Sequence, residues 1–168
     1  MKAASIHDRF VAALPEAVGA VLDTLASDDD LLWPHLTWPA MRFDRGLTVG
    51  AAGGHAFVRY RVVEHEPGRL VRFRIAGPPG FGGHHWFRVE PDGDGTRITH
   101  GIDGTSTLRF LPRWLFVIRP LHDALIEDAL DRAETAATGR PVPPRRWSLW
   151  VRILRRFAAR RGGRGAGR

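Results

Sequence analysis

Apolar and polar residues alternate with a period of two in four successive runs: residues 55–64 (HAFVRYRVVE), 69–76 (RLVRFRIA), 83–90 (GHHWFRVE) and 96–107 (TRITHGIDGTST). The breaks between them carry turn chemistry, Glu66-Pro67-Gly68, Gly77-Pro78-Pro79-Gly80 and Asp92-Gly93-Asp94-Gly95. Short alternating runs with such breaks predict an antiparallel meander, because each turn reverses the chain within a few residues. From about residue 119 to residue 137 the spacing changes to three and four. Ile118, Leu121, Leu125, Ala129 and Ala133 form an apolar stripe, widened by Ile126 and Leu130. Asp123, Glu127, Asp131 and Glu134 form an opposite acidic face that reads as solvated. Gly139 and the prolines Pro141, Pro143 and Pro144 stop this helix, and Trp114 to Ile118 reads as an apolar lead-in. A meander closed by one long amphipathic helix encloses an interior without obvious catalytic machinery, which points to binding.

Upstream, the pattern predicts a strand over residues 6–13 and a helix from Pro15 to about residue 27. Pro15 and Glu16 suit its first turn, and Val18, Val21, Leu22 and Leu25 lie on one face. Asp28, Asp29 and Asp30 offer caps to a short second helix over residues 30–35. An aromatic connector, residues 33–43, and an edge strand near residues 47–51 precede the meander.

Strand parity decides what faces inward. Val58, Tyr60 and Val62 share a face, as do Val71, Phe73 and Ile75, while Arg59, Arg61, Arg72 and Arg74 take the solvated side. Phe87 and Val89 bring His85 inward, and Ile98 and Ile102 bring His100. Either register of the hairpin places His85 and His100 directly opposite or two residues offset. Tyr60, His85 and His100 are therefore the inward polar residues and the candidate chemistry. The histidines either orient a ligand carbonyl, act as general acid and base, or simply pair with each other. Tyr60 serves as a polar contact or as core. Apolar walls come from Phe73, Phe87, Ile98 and Leu125, and Trp33, Trp38 and Phe43 either gate the cavity or plug one end. His122 either borders the cavity or is a helix-boundary residue with no chemistry. Spacing offers no third ligand to complete a metal site, and neither a metal nor a cofactor is expected.

Composition alters this picture at the C-terminus. Of the formal charge of +7, residues 140–168 contribute ten arginines and no acid, so the preceding body carries −3. A basic, nucleic-acid-binding body is excluded. Within the tail, Trp147, Trp150, Leu154 and Phe157 recur at helical spacing among Arg152, Arg155 and Arg156. A basic amphipathic helix with tryptophans suits an anionic membrane surface; docking on its own domain and nucleic acid are the rivals, nucleic acid the weakest. The absence of cysteine removes disulfides, thiolate ligands and a Cys nucleophile. Without a signal-peptide pattern or an apolar run of ~18 residues, cytoplasmic residence is expected, with peripheral attachment at the inner face of the membrane as an option. The composition leaves the oligomeric state open.

Several stretches carry a family resemblance. FVAALPEAVGAVLDTL, VVEHEPGRLVRFRI, GHHWFRVEPDGDGTRITHGIDG and RPLHDALIEDALDRAE resemble the opening strand and helix, two hairpins and closing helix of the START/Bet v 1-like superfamily (SRPBCC, polyketide cyclase/dehydrase-like) over residues 5–138. The resemblance implies an α+β helix-grip fold, a curved antiparallel sheet around a long C-terminal helix, with a hydrophobic cavity beneath it. It implies a ligand-binding domain over residues 1–139; the tail lies outside the shared domain and reads from its own residues as a Pro-rich linker and basic helix (140–161) and a disordered end (162–168). The implied function is binding or transport of a small hydrophobic ligand, lipid-like or polycyclic, and non-enzymatic. The alternatives are a polyketide cyclase/dehydratase-like lyase and an interaction module with a packed core.

Overall fold

In the computed structural model, which describes residues 1–162, seven strands form one antiparallel sheet in the order β1-β7-β6-β5-β4-β3-β2. These are β1 (Lys2–Val11), β2 (Arg42–Phe43), β3 (Ala52–His55), β4 (Val58–Glu66), β5 (Leu70–Gly77), β6 (Phe81–Asp92) and β7 (Gly95–Ser106). Strand β1 pairs along its whole length with β7, from Lys2 opposite Thr105 to Val11 opposite Thr96. Helix α1 (Pro15–Asp23) follows β1; a short α2 (Leu111–Arg113) runs through a π-helical stretch, Trp114–Ile118, into α3 (Arg119–Thr138). The sheet curves around α3, giving the α+β helix-grip arrangement. Gly139 ends α3 in the left-handed conformation, φ 67°, its N–H donating to the Thr135 carbonyl at 2.9 Å. Helix α4 (Leu149–Gly162) then packs on α3.

The four alternating runs fall on β4 to β7, and their inward parity holds. Val62, Val71, Phe73, Phe87, Val89, Ile98 and His100 are almost fully enclosed. The upstream elements differ. Strand β1 starts at Lys2 instead of residue 6, and α1 stops before residue 27 because Thr24 caps it and Ala26 takes φ 63°. No helix forms over residues 30–35. The buried Asp30 carboxylate instead accepts hydrogen bonds from the amides of Ala26, Leu32 and Trp33 at 2.7–2.9 Å, folding the chain into a turn. The edge is two short strands, β2 and β3, flanking residues 47–51. Trp114–Ile118 is helical, in π geometry, and not a lead-in. Gly162 is the last residue of α4, and residues 163–168 of the expected disordered end lie outside the described residues.

A larger correction concerns the acidic face of α3, which meets protein. Edge strand β1 turns Ser5, His7 and Arg9 toward α3 and leaves Ile6 and Phe10 exposed, the reverse of ordinary amphipathic order. The Arg9 guanidinium donates to Asp131 at 2.7 Å, Glu134 at 2.8 Å and Glu127 at 3.2 Å. His7 sits between Glu127 (2.8 Å) and Asp123 (3.1 Å). Opposite charge joins strand to helix here because each acid would otherwise lose its hydration uncompensated.

Helix α4 uses the same helix from the other side. Trp147 and Trp38 both donate their indole N–H to the Asp128 carboxylate, at 3.0 and 2.7 Å. Arg155 lies 4.0 Å from the Trp38 ring centre and 4.1 Å from that of Trp147, a double cation–π contact. Arg145 reaches Glu127 at 3.2 Å, and Val151 is buried beneath the helix.

Candidate functional site

The sheet curvature gathers polar residues from five strands, with one from α3, into a row. His85 on β6 stands opposite Ile102, and His100 on β7 opposite Phe87, so the two histidines are offset by two residues. His85 Nδ1 and His100 Nε2 are 3.4 Å apart. On one side the row continues to Tyr60, whose ring centre is 4.2 Å from that of His85, and then to His55, with Nε2 3.0 Å from the Tyr60 hydroxyl. On the other side the His122 ring lies 5.0 Å from His100. His122 Nδ1 is 3.4 Å from an Asp123 oxygen that also meets His7 Nε2 at 3.1 Å. Five histidines and a tyrosine thus cross the domain from β3 to β1.

Aromatic rings hold the row in place. Phe43 stacks on Phe73 at 5.3 Å, Phe73 on His85 at 4.7 Å, and Phe87 meets His100 edge-on at 4.6 Å. Ile98 and Leu125 close the space between sheet and α3. Phe73, Phe87, Ile98 and Leu125, the expected apolar walls, lie buried in one hydrophobic cluster between sheet and helix. Trp33, Trp38 and Phe43, expected to gate or plug the cavity, occupy three different surroundings, Phe43 against Phe73. Trp33 is buried near His55, ring centres 4.9 Å apart, and donates to the Pro39 carbonyl; Trp38 faces α4. A cleft of about 570 Å³ opens at the β3–β4 edge, lined by His55, Tyr60, Gly53, Gly54 and Arg59 among others. Tyr60 is the one predicted site residue in that lining; His55, which supplies its inner wall beside Tyr60, was not anticipated.

Burial sets the protonation of the row. It lowers His55 to about 3, assisted by the charges of His122 and Arg59. His85 and His100 are held well below the ordinary imidazole value, chiefly by burial and further by His122. Burial also lowers His122, against its hydrogen bond to Asp123, and raises Tyr60. The interior is a set of neutral donors and acceptors at pH 7. His7 goes the other way, raised by the Asp123 hydrogen bond against burial. Burial would raise Asp123, but hydrogen bonds from His122 and His7 hold it well below the usual carboxylate range.

Two nitrogens of this set, His85 Nε2 and His100 Nδ1, are buried without a hydrogen-bond partner among the described residues. Such groups are rare in native interiors.

The family model described as "Polyketide cyclase / dehydrase and lipid transport" matches residues 8–138. The chain belongs to this family. Among solved structures of the same SRPBCC/Bet v 1-like fold, CalU16 from Micromonospora echinospora is 17% identical (TM-score 0.56; 95% of this chain, 83% of that one). Norcoclaurine synthase from Thalictrum flavum is 15% identical (TM-score 0.62; 83% and 88%). The di-domain ARO/CYC StfQ of the steffimycin pathway is 14% identical (TM-score 0.61; 83% of this chain), and the match spans about half of it, 52%. At these identities the likeness is one of fold. A comparison with curated proteins returned no match.

His55, His7 and His122 join the row although sequence reasoning left them out or gave them no chemistry. His7 alternates with Ser5 and Arg9 on one strand face, and that polar period against the acidic period of α3 was the available signal. His55 had none, since it lies at a strand end beside Gly53 and Gly54.

Of the residues expected at a membrane, Trp147 and Arg155 are turned onto the domain. Trp150, Arg152, Arg156 and Phe157 are exposed and Leu154 is half-buried. Trp150 donates to the Phe116 carbonyl at 2.8 Å, placing it beside the exposed Leu115 and Phe116. No helix of the described residues is long and apolar enough to cross a membrane.

Proposed function

We propose that the protein binds a small hydrophobic ligand carrying a hydroxyl or carbonyl group, admitted at the His55–Tyr60 cleft and held with that group against His85 and His100. The two unpartnered nitrogens carry this reading. Leaving a buried polar group unsatisfied costs about 1–3 kcal/mol. Whichever ring donates across the 3.4 Å contact, one donor and one acceptor nitrogen stay free. A hydroxyl beside a ketone supplies both complements, and the rings of Phe43, Phe73 and Phe87 suit an apolar body. The family description, which joins polyketide chemistry to lipid transport, supports a ligand of this kind.

The test is uptake of N-phenyl-1-naphthylamine and its displacement by hydroxylated polycyclic ketones. Saturable one-to-one uptake is expected, weakened at least tenfold by Ala52→Trp, which fills the cleft lining. Uptake indifferent to that substitution would contradict entry at this edge.

A cyclase- or dehydratase-like lyase activity is the second reading. Neutral His85 and His100 near Tyr60 each keep a ring nitrogen free for proton transfer, though burial weakens them as bases, and StfQ is itself described as an ARO/CYC. The double variant discussed below separates the readings, since turnover retained without either histidine removes the catalytic role.

Ligand exchange is assigned to an anionic membrane surface at the inner face, where such molecules partition. Leu115, Phe116, Leu149, Trp150 and Phe157 are exposed together with Arg152 and Arg156, and residues 104–122 and 140–157 contain no acid. Arginines around exposed rings favour anionic headgroups. Sedimentation with vesicles containing phosphatidylglycerol is expected to carry the protein down, and neutral phosphatidylcholine vesicles to leave it in solution. Leu115→Ser with Phe116→Ser should cut binding about tenfold; undiminished binding would exclude this face.

A further inference from the structure

We propose that His7, His122 and Asp123 form a binding site for a divalent transition metal of the zinc class, at the β1–α3 junction. Residues 115 positions apart in sequence place one ligand atom each within 4.8 Å of the others. Asp123 Oδ1 lies 3.1 Å from His7 Nε2 and 3.4 Å from His122 Nδ1. Bonds of about 2.0–2.1 Å in a tetrahedron put neighbouring ligand atoms about 3.3 Å apart, so these separations need little adjustment around one ion. Two imidazoles with one carboxylate is a donor set that borderline metals accept and calcium or magnesium do not favour.

The surroundings support the assignment. His7 presents Nε2 to the cluster while Nδ1 meets Glu127 at 2.8 Å, the outer carboxylate that fixes the tautomer of a ligating histidine. Ser5 Oγ donates to the Asp123 carboxylate at 3.0 Å and is a further outer partner. The other acids of this face are engaged: Arg9 covers Glu127, Asp131 and Glu134. Among the described residues the arginine that reaches Asp123 is Arg119, at 3.6 Å. A cleft of about 280 Å³ lined by Pro120, Asp123, Glu127 and Arg145 reaches Asp123 from outside. It supplies a path from outside to the Asp123 side of the cluster, and a site with three protein ligands takes water or substrate as its fourth. This assignment stands apart from the ligand proposed at His85 and His100, although the His122 ring is 5.0 Å from His100.

The experiment is titration of the full chain, stripped with chelator, with Zn²⁺ followed by calorimetry and with Co²⁺ followed by visible absorption. One equivalent is expected to bind with micromolar or tighter affinity, and cobalt to give the intense bands of four coordination. His122→Ala and Asp123→Asn should each weaken binding at least 100-fold, and Glu127→Gln about 10–100-fold. His84→Ala, at an exposed site on β6, should leave it unchanged. Melting each variant beforehand confirms that it is folded. Absence of stoichiometric uptake by the parent protein, or uptake that survives both His122→Ala and Asp123→Asn in folded variants, would overturn the assignment.

Discussion

Lowering the pH from 7 to 5 removes about 5 kcal/mol of folding free energy. Each histidine that is neutral in the folded interior and free to protonate in the unfolded chain, at about 6.5, contributes roughly 2 kcal/mol of this. His55, His85 and His100 all belong to that class because burial depresses them. The sign follows from the direction of the shift. A depressed histidine favours the folded state above the unfolded value, and that advantage is lost as the pH falls below about 6.5. His122 adds to the loss in the same direction. His7 opposes it: its raised value makes its contribution largest below about 6.5 and lost at higher pH, but it is one group against four. Typical domains hold only about 5–15 kcal/mol in total. Urea unfolding at pH 7, 6 and 5 should therefore show the midpoint falling steeply. A midpoint constant to within a tenth over that range would mean that the row is charged or hydrated in the folded protein.

Replacing His85 and His100 together by phenylalanine stabilises the unliganded protein at pH 7 by about 2 kcal/mol. The gain comes from removing two buried nitrogens that lack partners, each costing about 1–3 kcal/mol, while keeping aromatic bulk between Phe73, Tyr60 and Phe87. Part is returned because the larger rings crowd a filled core. For a domain of this size the melting temperature should rise by roughly 4–8 °C, and more than half of the acid sensitivity should disappear with the two groups. Preference for oxygenated ligands over their hydrocarbon parents should be lost at the same time. Stability gained while function is lost is the signature of polar groups kept for a ligand. A double variant less stable than the parent by 2 kcal/mol would show that both nitrogens are satisfied in solution and would remove the observation on which the ligand reading rests.

How far the sequence disclosed this arrangement varied with the origin of each signal. Period-two runs on β4 to β7 and the three-and-four stripe of α3 come from burial of one face, and they placed Tyr60, His85 and His100 inward correctly. The rule failed where burial was polar. Ser5, His7 and Arg9 look solvated on hydropathy alone, and so do Asp123, Glu127 and Asp131; each set is buried only because the other covers it. Complementarity between residues more than a hundred positions apart leaves no local trace. Asp30 failed for a related reason, since a capping carboxylate reads the same whether it starts a helix or gathers a turn. For the tail, spacing identified an amphipathic helix but not its partner. Asp128 draws Trp147 to the domain, and Arg155 fits between the two indoles, leaving Trp150 and Phe157 outside.

The unpartnered imidazoles call for polar partners, and a ligand of the proposed kind would supply them. Tyr60 and His55 separate the cleft from His85 by one layer of side chains, so side-chain rotation, without strand separation, connects outside to inside. Rotamer changes of that kind are accessible at room temperature.

Native mass spectrometry of the freshly purified protein, set against its denatured mass and an organic extract, tests this account most directly. The account predicts a discrete added mass of small-molecule size that is lost on denaturation, recovered in the extract and absent from the His85→Phe, His100→Phe double variant. A parent protein that carries no such mass, and takes up none when offered oxygenated polycyclic or fatty ligands, would contradict it.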